Sequence, residues 1–316
     1  MEVSAATGMY QRRGDSPLHR ELPEVLEAMT QVGFSCFDLS FSSVDQPNFL
    51  LRGDDWERKV AALGETAARL GVVFPQSHLP FVPGCSAARW EAFQSETYRE
   101  QFLEYIRRGY HASRMLNIPW AVIHPLTCPE HNYEWKATFE ENHRFYDRFV
   151  ELGIRLGVGT AIENMPASVN RKLGQVYCRH YDELMELVDS FESPLVGICW
   201  DTGHAHVSGL NQQRSLEVMG SRVKVLHIHD NHTGAGDEHL LPYMGDVDWD
   251  SVLRGLAHIG YTGTLNYESG NTSARAFGRL QLEYMKMTLA NGRYLADRYE
   301  EIRKREAGTV VLSGQM

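Results

Sequence analysis

Short apolar runs alternate along the chain with longer stretches whose apolar residues recur at helical spacing. Val223–His229 (VKVLHIH) has a period of two. Val223, Val225, His227 and His229 share one face, with Lys224, Leu226 and Ile228 on the other. Further strands are predicted at Val3–Tyr10, Ser35–Phe41 (SCFDLSF), Val72–His78 (VVFPQSH), Trp120–His124 (WAVIH), Gly159–Glu163 (GTAIE), Leu195–Asp201 (LVGICWD) and Gly263–Glu268 (GTLNYE). Helical spacing covers Leu22–Val32, Asp55–Leu70, Trp90–Leu116, Lys136–Leu156, Tyr181–Ser190, Gln212–Met219, Asp248–His258 and Ala276–Arg305. Pro23 stands early in the first of these. Gly33, Gly71 and Gly157 follow the ends of three of them, as helix stop signals do.

Strand ends fall at Leu39, His78, His124, Glu163, Asp201, His229 and Glu268, at intervals of 39, 46, 39, 38, 28 and 39 residues. That is the length of one strand–loop–helix–loop unit, and with the N-terminal candidate the strand count reaches eight. The α/β pattern therefore predicts a single (β/α)8 TIM barrel with a long C-terminal helical extension. A doubly wound open sheet would want a Gly-rich phosphate loop after the first strand, and the sequence has none there. No Gly-, Ser- or Pro-rich linker divides the chain, so residues 1–316 are expected to form one domain. In it, about 1–275 make the barrel, 276–305 the C-terminal helix and 306–316 a loose tail.

Composition narrows the class further. With 31 basic and 41 acidic residues the 316-residue chain carries a net charge of −10, which argues against a nucleic-acid partner. Cys36, Cys85, Cys128, Cys178 and Cys199 are odd in number and never spaced as C-x-x-C, so reduced, buried thiols are expected. The sequence shows neither a cationic-then-apolar N-terminus nor an apolar run of membrane length. The expectation is a cytoplasmic protein with no membrane partner.

The chemistry lies at the strand ends. Six of the seven terminate at or beside a metal-binding residue: His78, His124, Glu163, Asp201, His227 or His229, and Glu268. A barrel gathers them at one mouth. Burying so many carboxylates and imidazoles without a cation would be costly, and a divalent metal removes that cost. Beyond the seventh strand, Asp230-Asn231, Gly234-Ala-Gly236 and Asp237-Glu-His239 add more potential ligands in a short span, and His204 follows Asp201 by three residues.

On these residues, from about Ser35 to Ser269, the chain resembles the xylose-isomerase-like TIM-barrel superfamily. That superfamily contains sugar phosphate isomerases and epimerases, inosose dehydratases, hydroxypyruvate isomerases and endonuclease IV. His227-Ile-His-Asp230-Asn231, Asp237-Glu-His239 and Gly245-Asp-Val-Asp-Trp249 match family elements. The resemblance implies a metal site of Glu163, Asp201, His227 and Glu268, with Glu163 and Glu268 as the carboxylate pair that takes and returns a proton. It further implies His78, His124, His204 and His229 as contacts to a small carbohydrate substrate, and Mn2+, Mg2+ or Co2+ as the cofactor. The implied activity is that of a metal-dependent sugar isomerase or epimerase, or a related lyase, acting on a ketose, keto-sugar or inosose.

Two specific assignments do not carry over. The arginine that ketohexose epimerases place six residues after the metal histidine is replaced by Thr233 or Ala235, and the lysine of true xylose isomerases by Met165. The main alternative is an endonuclease IV-like trinuclear-zinc phosphodiesterase acting on abasic DNA, for which His78, His124, His204, Asp237 and His239 are the extra metal ligands. Against it, no basic run with interleaved aromatics marks the rim, and the fourth loop reads His124-Pro-Leu. A second alternative is a non-catalytic metal-bearing, sugar-binding barrel. Cys199 and Trp200 are expected to pack the barrel, Trp249 to pack the last barrel helix, and His111, His143 and His258 to lie away from the rim. Arg171, Lys172, Arg179 and His180 are expected in a solvated loop. The long C-terminal helix is expected to cover a partner in a homo-oligomer.

Overall fold

The computed structural model describes the chain apart from residues 12–19, 43, 45, 47, 81–92, 128–133, 168–175, 272–278 and 314–316, and apart from the side chains of 307–313. Cys85, Trp90, Cys128, Arg171 and Lys172 lie outside the described residues.

Eight strands form one parallel sheet: β1 (Val3–Ala6), β2 (Cys36–Ser40), β3 (Val73–His78), β4 (Trp120–Ile123), β5 (Gly159–Glu163), β6 (Val196–Asp201), β7 (Val223–His227) and β8 (Leu265–Tyr267). Their spatial order is β7-β6-β5-β4-β3-β2-β1-β8. The two edges meet through a parallel bridge between Ile228 and Tyr267, where Ile228 N–H donates to Asn266 O at 2.7 Å and Glu268 N–H to Ile228 O at 3.0 Å. The sheet is thus closed as a TIM barrel, and every strand delivers its C-terminal residue to the same mouth.

Parallel neighbours need crossovers, and the helices supply them. Leu22–Val32 ends at Gly33, whose φ of 112° lets its N–H return to Met29 O and Thr30 O. The buried faces of these helices, among them Val25, Leu26, Val60, Tyr110, Tyr146 and Leu256, form one core cluster with the outward faces of the strands. A separate small cluster of Val122, Ala161, Cys199 and Val225 comes from four adjacent strands, β4 to β7. Cys199 packs there, as expected, and Trp200 donates its Nε1–H to Gln212 at 3.0 Å.

Several boundaries differ from those the sequence suggests. The first strand stops at Ala6 instead of Tyr10 because Thr7 O accepts from Tyr10 N–H and Gln11 N–H, which turns Gly8–Gln11 into a helical turn that buries Met9 and Tyr10. Asp201 is followed directly by an element that the sequence pattern does not announce. It caps a six-residue helix, Thr202–Val207, by accepting from His204 N–H at 2.7 Å. The long helix preceding β4 spans Glu96–Met115. The last helix spans Arg279–Ser313, so residues 306–313 are helical where a loose tail was expected. Once nucleated, a helix gains one hydrogen bond for each residue it adds. That helix leaves Leu280, Met287 and Tyr294 exposed at seven-residue spacing. Among the described residues no helix is long and apolar enough to cross a membrane.

Candidate metal centre

Glu163, at the end of β5, is the hub. Its Oε2 lies 3.3 Å from His78 Nε2 and 3.1 Å from His124 Nε2. Its Oε1 lies 3.2 Å from both His204 Nδ1 and His227 Nδ1. Glu268, one residue past β8, brings Oε2 to 3.6 Å from His227 Nδ1. Three principal groups of potential ligands result, each with ligand atoms within 4.8 Å of one another: His78, His124 and Glu163; Glu163, Asp201, His227 and Glu268; and His204, His229, Asp237 and His239. The structure therefore brings together at one mouth every candidate ligand proposed from sequence.

Local structure explains the precision. Asn164, directly after Glu163, donates to Asp201 O at 2.9 Å and accepts from Asp201 N–H at 2.6 Å, which locks the end of β5 to the end of β6. Asp201 then holds the His229 ring, with Nε2 2.9 Å from Oδ1, while His229 stacks on His239 at 4.0 Å between centroids. Gly203 makes room for that ring, since a Cβ there would fall inside it. His229 is fully buried and faces the ligand group instead of solvent.

The loop carrying Asp237 and His239 hangs on Asp230 and Asn231. Asp230 accepts from Asn231 N–H, Tyr243 N–H, Val247 N–H and Trp249 Nε1–H at 2.9 to 3.0 Å. Trp249 is therefore both a packing residue and an anchor. Asn231 accepts from the N–H groups of Glu238 and His239 and donates to Gly203 O. Asp237 Oδ2 then sits 2.9 Å from His239 Nε2 and 3.3 Å from His204 Nε2.

Burial opposes charge at Glu163, Asp201, His204 and His239, and pairing overrides it there. Glu163 is held well below the usual carboxylate range by His227 and His124, and Asp201 below it by His204 and His229, in each case against the effect of burial. Against the same opposition, Asp201 and Asp237 hold His204 well above the usual imidazole value, and the hydrogen bond to Asp237 lifts His239 to about 9. For His124 burial prevails and its value falls.

These residues fit a cation. Among the described buried atoms, Glu163 Oε2, His227 Nδ1 and Asp237 Oδ1 have no hydrogen-bond partner, although each points into a group of ligand atoms. Unpaired buried polar atoms are costly, and a shared divalent ion would satisfy several at once.

Sequence reasoning missed Asp38 on β2. It is fully buried and accepts from His227 Nε2 at 3.2 Å. Its signal was a charged residue between the apolar Phe37 and Leu39 of a predicted strand, SCFDLSF. His143, stacked on Phe191, and His258, paired with Glu217, are engaged outside these ligand groups.

The chain belongs to the xylose isomerase-like TIM barrel family, whose model matches residues 26–287. It is similar to an uncharacterized protein of Sinorhizobium fredii, y4fM, at 33% identity over 131 residues, covering 42% of this chain and 40% of the relative. Similarity to MJ1311 of Methanocaldococcus jannaschii, also uncharacterized, is 30% over 184 residues, covering 57% and 60%. A probable endonuclease 4 of Mesomycoplasma hyopneumoniae matches at 28% over 92 residues, covering 26% and 33%. The chain thus spans 33% to 60% of the length of these relatives. Among solved structures, a D-tagatose 3-epimerase-like protein superposes with a TM-score of 0.69 at 22% identity, covering 97% of this chain and all of the other. An IOLI protein with a bound zinc atom superposes with a TM-score of 0.72 at 17% identity, covering 95% and 99%. Similarity at that level shows a shared fold.

Proposed function

We propose that this protein is a divalent-metal-dependent sugar isomerase or epimerase, or a related lyase. In this reading it moves a proton on the carbon beside the carbonyl of a ketose, keto-sugar or inosose. The observation that carries the proposal is the convergence of Glu163, Asp201, His227 and Glu268, three carboxylates and one imidazole, at the barrel mouth. An oxygen-rich set of this kind suits Mn2+, Mg2+ or Co2+. When bound, the cation supplies a Lewis acid that draws negative charge onto the substrate's carbonyl oxygen.

The carboxylates do the proton work. Glu268 is 19% exposed and can reach a substrate, whereas Glu163 is 1% exposed and enclosed by imidazoles. Glu268 takes the α-proton in one direction and Glu163 serves the opposite face, the arrangement an epimerase needs. His78, His124 and His204, beside Glu163, donate to substrate hydroxyls. The similarity in fold to a D-tagatose 3-epimerase-like protein supports this reading.

A second reading is favoured by one observation. The His78–His124–Glu163 and His204–His229–Asp237–His239 groups flank the four-ligand site, an arrangement that would suit two further zinc ions and in-line phosphodiester cleavage. The match to a probable endonuclease 4 points the same way.

The test is exchange of α-protons in deuterated water across a panel of ketoses, keto-sugars and inososes, read by NMR with the metal-loaded protein. Exchange is expected, and Glu268→Gln should slow it about 10²–10⁴-fold. A panel that never exchanges, together with cleavage of abasic duplex DNA, would replace the first reading by the second.

A further inference from the structure

We propose that Asp38 is the positioning residue of the metal centre, a buried carboxylate that fixes the proton of His227 on Nε2 and so presents Nδ1 as a ligand. The inference rests on the metal reading of the Glu163, Asp201, His227 and Glu268 group.

Asp38 lies within β2, among apolar neighbours, with no exposure. Its Oδ2 accepts from three side chains on three other strands: Gln76 Nε2 at 2.8 Å, Asn266 Nδ2 at 3.1 Å and His227 Nε2 at 3.2 Å. All three partners are likewise fully buried. Three donors converging on one buried oxygen compensate for its removal from water. The opposite nitrogen of the same ring, His227 Nδ1, faces Glu163 Oε1 at 3.2 Å and Glu268 Oε2 at 3.6 Å.

An imidazole binds a metal only through an unprotonated nitrogen. The partner of its other nitrogen decides which one that is. Asp38 is an acceptor on the Nε2 side, so the proton stays there and the Nδ1 lone pair is aimed at the carboxylates. Its negative charge, conveyed through the ring, makes Nδ1 a better donor and offsets part of the cation's charge. Gln76 and Asn266 hold Oδ2 in place from two other strands. A residue that only filled space would need the shape of Asp38 and not its charge.

The experiment is competition of the full-length protein with a chelator for Zn2+ and Mn2+, in wild type, Asp38→Asn and His227→Ala. Asparagine keeps the shape and removes the charge. Asp38→Asn is expected to weaken binding about 10–100-fold, while far-ultraviolet circular dichroism stays that of wild type. Binding within about twofold of wild type, with His227→Ala clearly impaired, would overturn the proposal. Should His227→Ala bind as well as wild type, the metal reading beneath it fails and the proposal falls with it. A measurement that needs no Asp38 variant is nitrogen-15 NMR of the histidine rings in the zinc-loaded wild type. A slowly exchanging proton on His227 Nε2 supports the assignment, and one on Nδ1 overturns it.

Discussion

Asp201→Ala is expected to abolish tight metal binding and to lower the unfolding free energy of the metal-free protein by about 3–5 kcal/mol. Three losses coincide at this one side chain. It is a candidate ligand of the four-residue group. It caps the Thr202–Val207 helix through His204 N–H, a contact worth about 1 kcal/mol. It also bonds His229 Nε2, and removing it would leave a fully buried imidazole facing two other histidines and Asp237. Chemical denaturation of metal-free wild type and variant measures the effect. A difference below about 1 kcal/mol would mean that Asp201 acts as a surface ion pair does, contrary to its burial.

Gly203→Ala should destabilise by about 1–3 kcal/mol and disturb the His204–His229–Asp237–His239 group. The added carbon would occupy the place of the His229 ring, and that ring cannot withdraw easily because Asp201 bonds it and His239 stacks on it. The strain is steric and not a matter of backbone angle, since Gly203 is not among the glycines with positive φ. Gly8→Ala is the control. A Cβ there meets nothing within 4 Å, and a change within about 0.5 kcal/mol is expected. Equal thermal shifts in the two variants would refute the packing account.

The barrel was legible because it is written in short-range patterns. Although the period-two pattern read over Val223–His229 is broken by a register shift at Val223–Val225, and β7 ends at His227, apolar runs in β4 and β5 and glycines after three helices survive in the folded chain. So was the gathering of His78, Glu163, Asp201, His227 and Glu268, because a parallel barrel sends strand ends to one place. What stayed hidden depends on long-range partners. The Thr202–Val207 helix is too short to show a period, and it exists because Asp201 caps it. Asp38 meets His227 across 189 residues of sequence, which no local pattern discloses. The 237–239 loop takes its shape from Asp230 and Asn231, whose hydrogen bonds run mainly to backbone N–H groups that any sequence would offer.

The central claim is that Glu163, Asp201, His227 and Glu268 hold a divalent cation. The direct measurement is elemental mass spectrometry of the protein purified without added metal, in wild type, Glu268→Gln and Asp237→Ala. The account predicts about one divalent ion per chain, retained in Asp237→Ala and lost or depleted in Glu268→Gln. A metal-free wild type, or a metal content unchanged in Glu268→Gln, would contradict it, whereas about two to three zinc ions per chain that fall in Asp237→Ala would leave this ion in place and favour the second reading.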